Sequence, residues 1–317
     1  MTDRTAPSPR RAALALAAGL GLAALIAQPA GAQPRTASLQ LAPSGHVVTD
    51  VSIEGEGPWR FAVDTGASHT AIAMPLAEHY GFISTRIELG PVQALTGRFE
   101  AERFALRDIA FPPGVRVDQV EAVVVPVEPD ETLYVDGLLG ADVFGEARLA
   151  LDLDALTMTL DAAPPDYADG VLDPQSNLLW GEARSRSVTG PINVLIDTGA
   201  TRTIVNSALS AKRRGGVRFN LVIGGVDGRT REESQAVTLE GLRVGGLCVA
   251  AMPALEADLD VFRAMGWANE PAMVLGLDLL RHARIVIDRS AGVFELSPAS
   301  DVAACPRRRN ERVQRES

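Results

Sequence analysis

Lysine is almost missing from this sequence: Lys212 is the only one, and arginine carries nearly all the positive charge. That imbalance carries no functional message, but other scarcities do. Aromatic residues make up 5%, and Trp59, Trp180 and Trp267 are scattered, which argues against the stacking platforms a sugar hydrolase would need. The four histidines, His46, His69, His79 and His282, show no metal-ligand spacing, and no His-Glu-x-x-His occurs. His69 lies close after Asp64 in the chain but reads as an exposed loop histidine. Ser68 and Ser207 lack the context of a nucleophile elbow, and the glycine pairs Gly224-Gly225 and Gly245-Gly246 do not build a phosphate loop. Long helical periodicities are few while glycine and proline are frequent, so the composition leans to a β-rich fold.

Cysteine is nearly absent too. Cys248 and Cys305 suit an oxidising compartment, and whether they pair is left open by spacing alone. An N-terminal export segment agrees with such a compartment. Arg4, Arg10 and Arg11 precede an apolar stretch over about 12–27, and Ala30-Gly31-Ala32 has the small-x-small form of a cleavage site. The apolar run is short for a membrane span, which takes about 20 residues. The expectation is a signal peptide over 1–32, an exported chain (periplasmic or secreted) starting near Gln33, and no stable membrane insertion after its removal. Losing Asp3, Arg4, Arg10 and Arg11 moves the net charge from −10 to −12. An acidic surface of that kind disfavours nucleic acid and anionic lipid as partners.

What the chain has is a repeat. The run Phe61-Ala62-Val63 leads into Asp64-Thr65-Gly66-Ala67, and Val194-Leu195-Ile196 leads into Asp197-Thr198-Gly199-Ala200. Farther on, Leu138-Leu139-Gly140 is matched by Val274-Leu275-Gly276, and from there residues 138–160 align on 274–296 without a gap. The offset is 197 − 64 = 133 for the aspartates and 276 − 140 = 136 for the glycines, so only three residues separate the two spacings. The chain is an internal duplication with one Asp-Thr-Gly per half. Residues 162–176, rich in Pro, Gly and Asp, read as the connection between halves, and 301–317 as a polar, disordered tail.

Two carboxyl groups brought within hydrogen-bonding distance share a proton and titrate as a pair. The ionised member can take a proton from a water molecule while the protonated member donates to the carbonyl oxygen of an amide. Such a pair needs no metal or cofactor, so none is expected. Asp64 and Asp197 are the candidate catalytic residues. Thr65 and Thr198 can stiffen the loops through backbone hydrogen bonds, and Gly66 and Gly199 permit close approach and can donate an N–H to a carboxylate. Asp142, Asp278, Asp152 and Asp288 repeat as well but read as structural caps and hairpin contacts.

An apolar strand ending in Asp-Thr-Gly-Ala, followed by an apolar-apolar-Gly stretch, resembles the pepsin and retropepsin superfamily of aspartic proteases, most of all the bacterial retropepsin-like aspartyl proteases. The resemblance covers about 39–298. It implies an all-β (mostly β) structure of two homologous acid-protease-like lobes, 33–165 and 166–300, with a substrate cleft between them. It implies that Asp64 and Asp197 form the catalytic dyad, and it places candidate flap tips at Gly97 and Gly228. Pepsins carry a tyrosine on the first flap; Tyr80, Tyr134 and Tyr167 all lie outside that hairpin, which favours a retropepsin-like flap.

The expectation is therefore an aspartic endopeptidase acting on a peptide or protein substrate, monomeric, with a like-lobe homodimer as the other arrangement open to it. A peptide-binding module that kept the fold and lost turnover is the rival. Two intact Asp-Thr-Gly sequences argue against that rival, as a disused dyad would tolerate change at either one.

Overall fold

A computed structural model of the chain describes residues 33–81, 88–93, 98–125, 135–212, 220–224, 231–300 and 305. The expected signal segment over 1–32, both expected flap tips and the tail apart from Cys305 lie outside the described residues. The described part is mostly β, with only short helices such as Met74–His79 and Ser207–Ala211.

Two barrel-like sheets make up the molecule. The first has eight strands, all from the first half. Its order is Gln40–Leu41, Val47–Ile53, Glu56–Val63, Gly137–Leu139, Ala71–Ala73, Val115–Val125, Arg98–Phe111 and Glu88–Gln93. Val47–Ile53 also pairs with Arg98–Phe111, at Ser52 with Ala110 and Ile53 with Ile109, which curls the sheet back on itself. Alternation drives this curl. Val47, Val51 and Ile53 face a core shared with Phe61, Phe104, Leu106 and Ile109, and each such buried side chain stabilises by about 1.5–3 kcal/mol.

The second sheet has thirteen strands. Ten come from the second half, and three come from the first: Arg35–Ser38, Leu149–Asp152 and Thr157–Leu160. The junction is antiparallel, Leu149–Asp152 against Ala283–Asp288, with Leu149 opposite Ile287, Ala150 opposite Val286 and Leu151 opposite Ile285. These are equivalent strands of the duplication. Since 150 + 136 = 286, the Ala150–Val286 pair joins a residue to its own repeat, so the two halves are related by a local twofold through that pair. Leu149, Leu151, Ile285 and Ile287 are buried in the main core, while Ala150 and Val286 are buried with Ala162 on the other face, so a one-residue slip would drive the large side chains into the space of the small ones.

The stretch 162–176 contributes more than a connection. Gly170–Leu172 is a strand paired on one side with Leu179–Arg184 and on the other with Val293–Pro298. Only Leu172 of it is buried, so its pairing comes from the neighbours' open edges rather than from a pattern of its own. Cys248, in the strand Leu247–Glu256, forms a disulfide with Cys305, which ties the tail to the second half. No helix among the described residues is long and apolar enough to cross a membrane.

Candidate active site

Each Asp-Thr-Gly loop is held between two strands. Glu56–Val63 delivers Asp64, and Gly137–Leu139 runs parallel to it, pairing Val63 with Leu139. In the second half Ile192–Ile196 delivers Asp197, and Ala272–Leu275 runs parallel, pairing Ile196 with Leu275. The same bonds close both loops. Asp64 N–H donates to Leu139 O and Asp197 N–H to Leu275 O, each at 3.0 Å. Ala141 N–H donates to Ala67 O at 2.9 Å and Leu277 N–H to Ala200 O at 2.8 Å. The apolar-apolar-Gly strands thus lie beside the loops in both halves. Their glycines pass close to backbone: a Cβ on Gly140 would overlap His69, and one on Gly276 would overlap Arg202.

The other repeated aspartates serve the same frame. Thr70 donates from its N–H and its hydroxyl to the two oxygens of Asp142, at 2.9 and 2.7 Å. Thr203 does the same to Asp278 at the same two distances. Asp152 accepts from Ala155 N–H and Asp288 from Ala291 N–H within the hairpin turns. Four carboxylates are thereby committed to local structure.

The two loops meet through their threonines. Thr65 N–H donates to Thr198 Oγ1 at 3.0 Å, and Thr198 N–H donates to Thr65 Oγ1 at 3.1 Å. Each hydroxyl then donates across to the carbonyl preceding the opposite aspartate, Thr65 Oγ1 to Ile196 O at 2.9 Å and Thr198 Oγ1 to Val63 O at 2.6 Å. Four crossed bonds between residues more than 130 apart fix one loop on the other, and both threonines are buried.

This clasp brings the carboxyl groups together. A Cβ on Gly66 would overlap the Asp197 carboxyl, and one on Gly199 would overlap that of Asp64, so only glycine fits either place. Gly66 N–H donates to Asp64 Oδ1 and Gly199 N–H to Asp197 Oδ1, both at 2.8 Å, and Ala200 N–H adds a second donor to Asp197 at 3.1 Å. Burial pushes the Asp197 carboxyl well above the usual carboxylate range, and the negative charge of Asp64 pushes it further the same way. Asp64 is half-buried; burial raises it too, opposed by the Gly66 N–H and by the hydrogen bond with Asp197. The two carboxyls thus titrate as one pair sharing a proton, with Asp197, the more buried of the two, raised the more strongly.

All six residues expected at the site, Asp64, Thr65, Gly66, Asp197, Thr198 and Gly199, are thus in one place. Gly97 and Gly228 are not described, but the strands flanking them are: Glu88–Gln93 with Arg98–Phe111, and Asn220–Gly224 with Arg231–Val244. His69 is exposed, and its ring bonds to the neighbouring Ser68 hydroxyl. Among the described residues no group of three or more His, Cys, Asp or Glu is arranged to hold a metal ion.

One neighbour of the site escaped the reading of the sequence. His46 bonds through Nε2 to the carbonyl of Gly199 at 3.1 Å and through Nδ1 to Ser44 Oγ at 2.9 Å. A carbonyl only accepts, so Nε2 carries a proton. Its sequence signal is weak, because a lone histidine in a turn 18 residues before the aspartate matches no motif.

Residues 49–143 match the sequence family described as aspartyl protease. The match takes in the strand leading to Asp64, its loop and the Gly137–Leu139 strand, and it supports an aspartyl protease family for the chain; Asp197 lies beyond it. No curated protein matches the chain at a significant level.

Proposed function

We propose that this protein is an exported aspartic endopeptidase of retropepsin-like build, with lobes over 33–165 and 166–300 that each supply one aspartate of a single dyad. The observation that carries the reading is the crossed clasp of Thr65 and Thr198, which seats two carboxyl groups from the two halves against each other's glycine.

The chemistry follows from the unequal aspartates. Ionised Asp64 takes a proton from a water molecule lying between the carboxyls, and the hydroxide formed attacks the peptide carbonyl carbon. Asp197 gives its proton to the carbonyl oxygen as it becomes an alkoxide, producing a neutral gem-diol and leaving Asp64 protonated and Asp197 ionised. Asp64 next protonates the amide nitrogen, the C–N bond breaks, and Asp197 recovers a proton from a diol hydroxyl. The products are a carboxylic acid and an amine, and the dyad returns to its starting state. The paired strands Glu88–Gln93 with Arg98–Phe111 and Asn220–Gly224 with Arg231–Val244, which flank Gly97 and Gly228 in the sequence, are the elements we assign to covering a bound peptide.

Peptide-library cleavage by the chain from Gln33, between acid and neutral pH, tests this reading. Cleavage blocked by a peptide with a hydroxyl-bearing isostere at the scissile bond is the expected result, since such a group imitates the gem-diol. A folded protein that binds peptides and cleaves none at any pH would favour the binding module instead.

A further inference from the structure

The local twofold of this molecule is broken at one informative place. Pairing Val48 with Ala62 in the first half corresponds to pairing Trp180 with Leu195 in the second, because Ala62 and Leu195 each lie two residues before their aspartate. Counting back, Ser44-Gly45-His46 corresponds to Ser176-Asn177-Leu178. The turns agree with this equivalence. Gly45 and Asn177 both have positive φ, 89° and 59°. The carbonyl of His46 accepts from Ala42 N–H, and that of Leu178 accepts from Asp173 N–H, both at 2.9 Å. Two like turns thus flank the paired loops, one presenting an imidazole and the other an apolar side chain packed against the buried cluster that holds Leu195, Ala200 and Phe262.

The imidazole reaches across the molecule. His46 belongs to the first half and bonds Gly199 of the second, the residue whose N–H holds Asp197 Oδ1. Gly199 in turn lies against the Asp64 carboxyl, so the ring sits one residue from that charge and feels it. Neutral or protonated, the ring keeps both bonds. With Nε2–H always donating to Gly199 O, Nδ1 accepts from the Ser44 hydroxyl when neutral and donates to its oxygen when protonated. Its charge can change without its position changing.

We propose that His46 is a positioning residue that sets the roles of the two aspartates, holding the Asp197 loop through Gly199 and favouring the negative charge on Asp64. At the equivalent position Leu178 offers neither a donor nor a charge, and the polar residues Asn177 and Arg289 line the cavity beside Asp64 on that side. Burial lowers the imidazole below its ordinary range, while the Gly199 carbonyl and Asp64 act against that. Below that midpoint the ring is cationic, and there it eases ionisation of Asp64. The kinetic consequence rests on the peptidase reading; the electrostatic coupling does not.

The two parts are separable by experiment. Ring-proton NMR of the chain from Gln33, with His46 assigned by its loss in His46→Gln, follows its titration in wild type, Asp64→Asn and Asp197→Asn. Coupling is reciprocal, so His46 should titrate lower by about half a pH unit or more in Asp64→Asn and should not fall in Asp197→Asn. An unchanged midpoint in Asp64→Asn, or equal falls in both variants, overturns the proposal. Kinetics supply the second arm. His46→Gln keeps an N–H for Gly199 and removes the charge, so the acid limb of kcat/KM should move to higher pH by a similar amount with the alkaline limb in place. His46→Leu, which copies the other turn, loses the bond as well, and its plateau should fall about tenfold below that of the Gln variant. Plateau loss with the acid limb unmoved in both variants would reduce His46 to a structural pin and overturn the proposal. If wild type cleaves nothing, the peptidase reading fails, and the NMR comparison alone decides the coupling.

Discussion

Replacing Thr198 by valine removes one hydroxyl and almost no volume, which makes it a clean test of the clasp between the loops. That hydroxyl accepts from Thr65 N–H and donates to Val63 O, in a side chain 1% exposed. Without it a buried donor and a buried acceptor lose their partners, at about 1–3 kcal/mol each. The added methyl returns roughly 0.8 kcal/mol of transfer free energy, so Thr198→Val should cost about 1–5 kcal/mol net, with a central value of about 3. Thr198→Ser keeps both bonds and gives up a methyl, for about 1 kcal/mol. Thr65→Val breaks the other two bonds, to Thr198 N–H and Ile196 O, and should cost about as much as Thr198→Val. The double variant should cost less than the sum, because loops already loosened have less to lose. Urea unfolding at constant m reads the stabilities, and kcat reads the geometry, with a loss of about a hundredfold if the carboxyls drift by roughly 1 Å. A Thr198→Val protein as stable as Thr198→Ser would refute the clasp. Full loss of stability with kcat unchanged would refute its link to the dyad.

Gly66→Ala and Gly199→Ala should each fold, by circular dichroism, yet lose activity by at least about a hundredfold, since the new methyl overlaps the opposite carboxyl; wild-type rates in either would contradict the packing. Asp197 binds its proton more tightly folded than unfolded, so the stability it contributes is present at low pH and lost as pH rises from the unfolded carboxylate range through the folded one. Asp197→Asn should therefore raise Tm relative to wild type at pH 7, by about 2–4 °C for each kcal/mol relieved, with the gain fading below about pH 3; an equal gain at both pH values would refute the sign. Cys305→Ser opens a disulfide spanning 57 residues and should cost about 2–4 kcal/mol by urea unfolding, with a loss below about 0.5 kcal/mol contradicting a stabilising bond.

The residues of the candidate site were legible because each depends on chemistry local to its own half. An apolar strand, a turn aspartate and a glycine announce themselves within a few residues, and the duplication repeats the announcement. The β class was legible for the same reason. Pairing across the halves was not. Nothing within 149–160 says that its first strand joins Ala283–Asp288, because its alternation is satisfied by any apolar partner; only the twofold through Ala150 and Val286 chooses one. Gly170–Leu172 was hidden by the Pro, Gly and Asp around it, with Val171 exposed and a single buried residue to mark a strand. The disulfide required a distance that spacing does not contain. His46 was hidden most deeply, since its partner lies 153 residues away and only the comparison of Ser44-Gly45-His46 with Ser176-Asn177-Leu178 singles it out.

The central claim is that one aspartate from each half makes one catalytic pair within a single chain. Asp64→Asn and Asp197→Asn, each checked for folding by circular dichroism, should cleave nothing in a peptide library that the wild type cleaves, and mixing the two variants should restore nothing. Activity surviving either substitution, or reappearing on mixing, would contradict the single-chain dyad and point to like halves paired between subunits or to a different site.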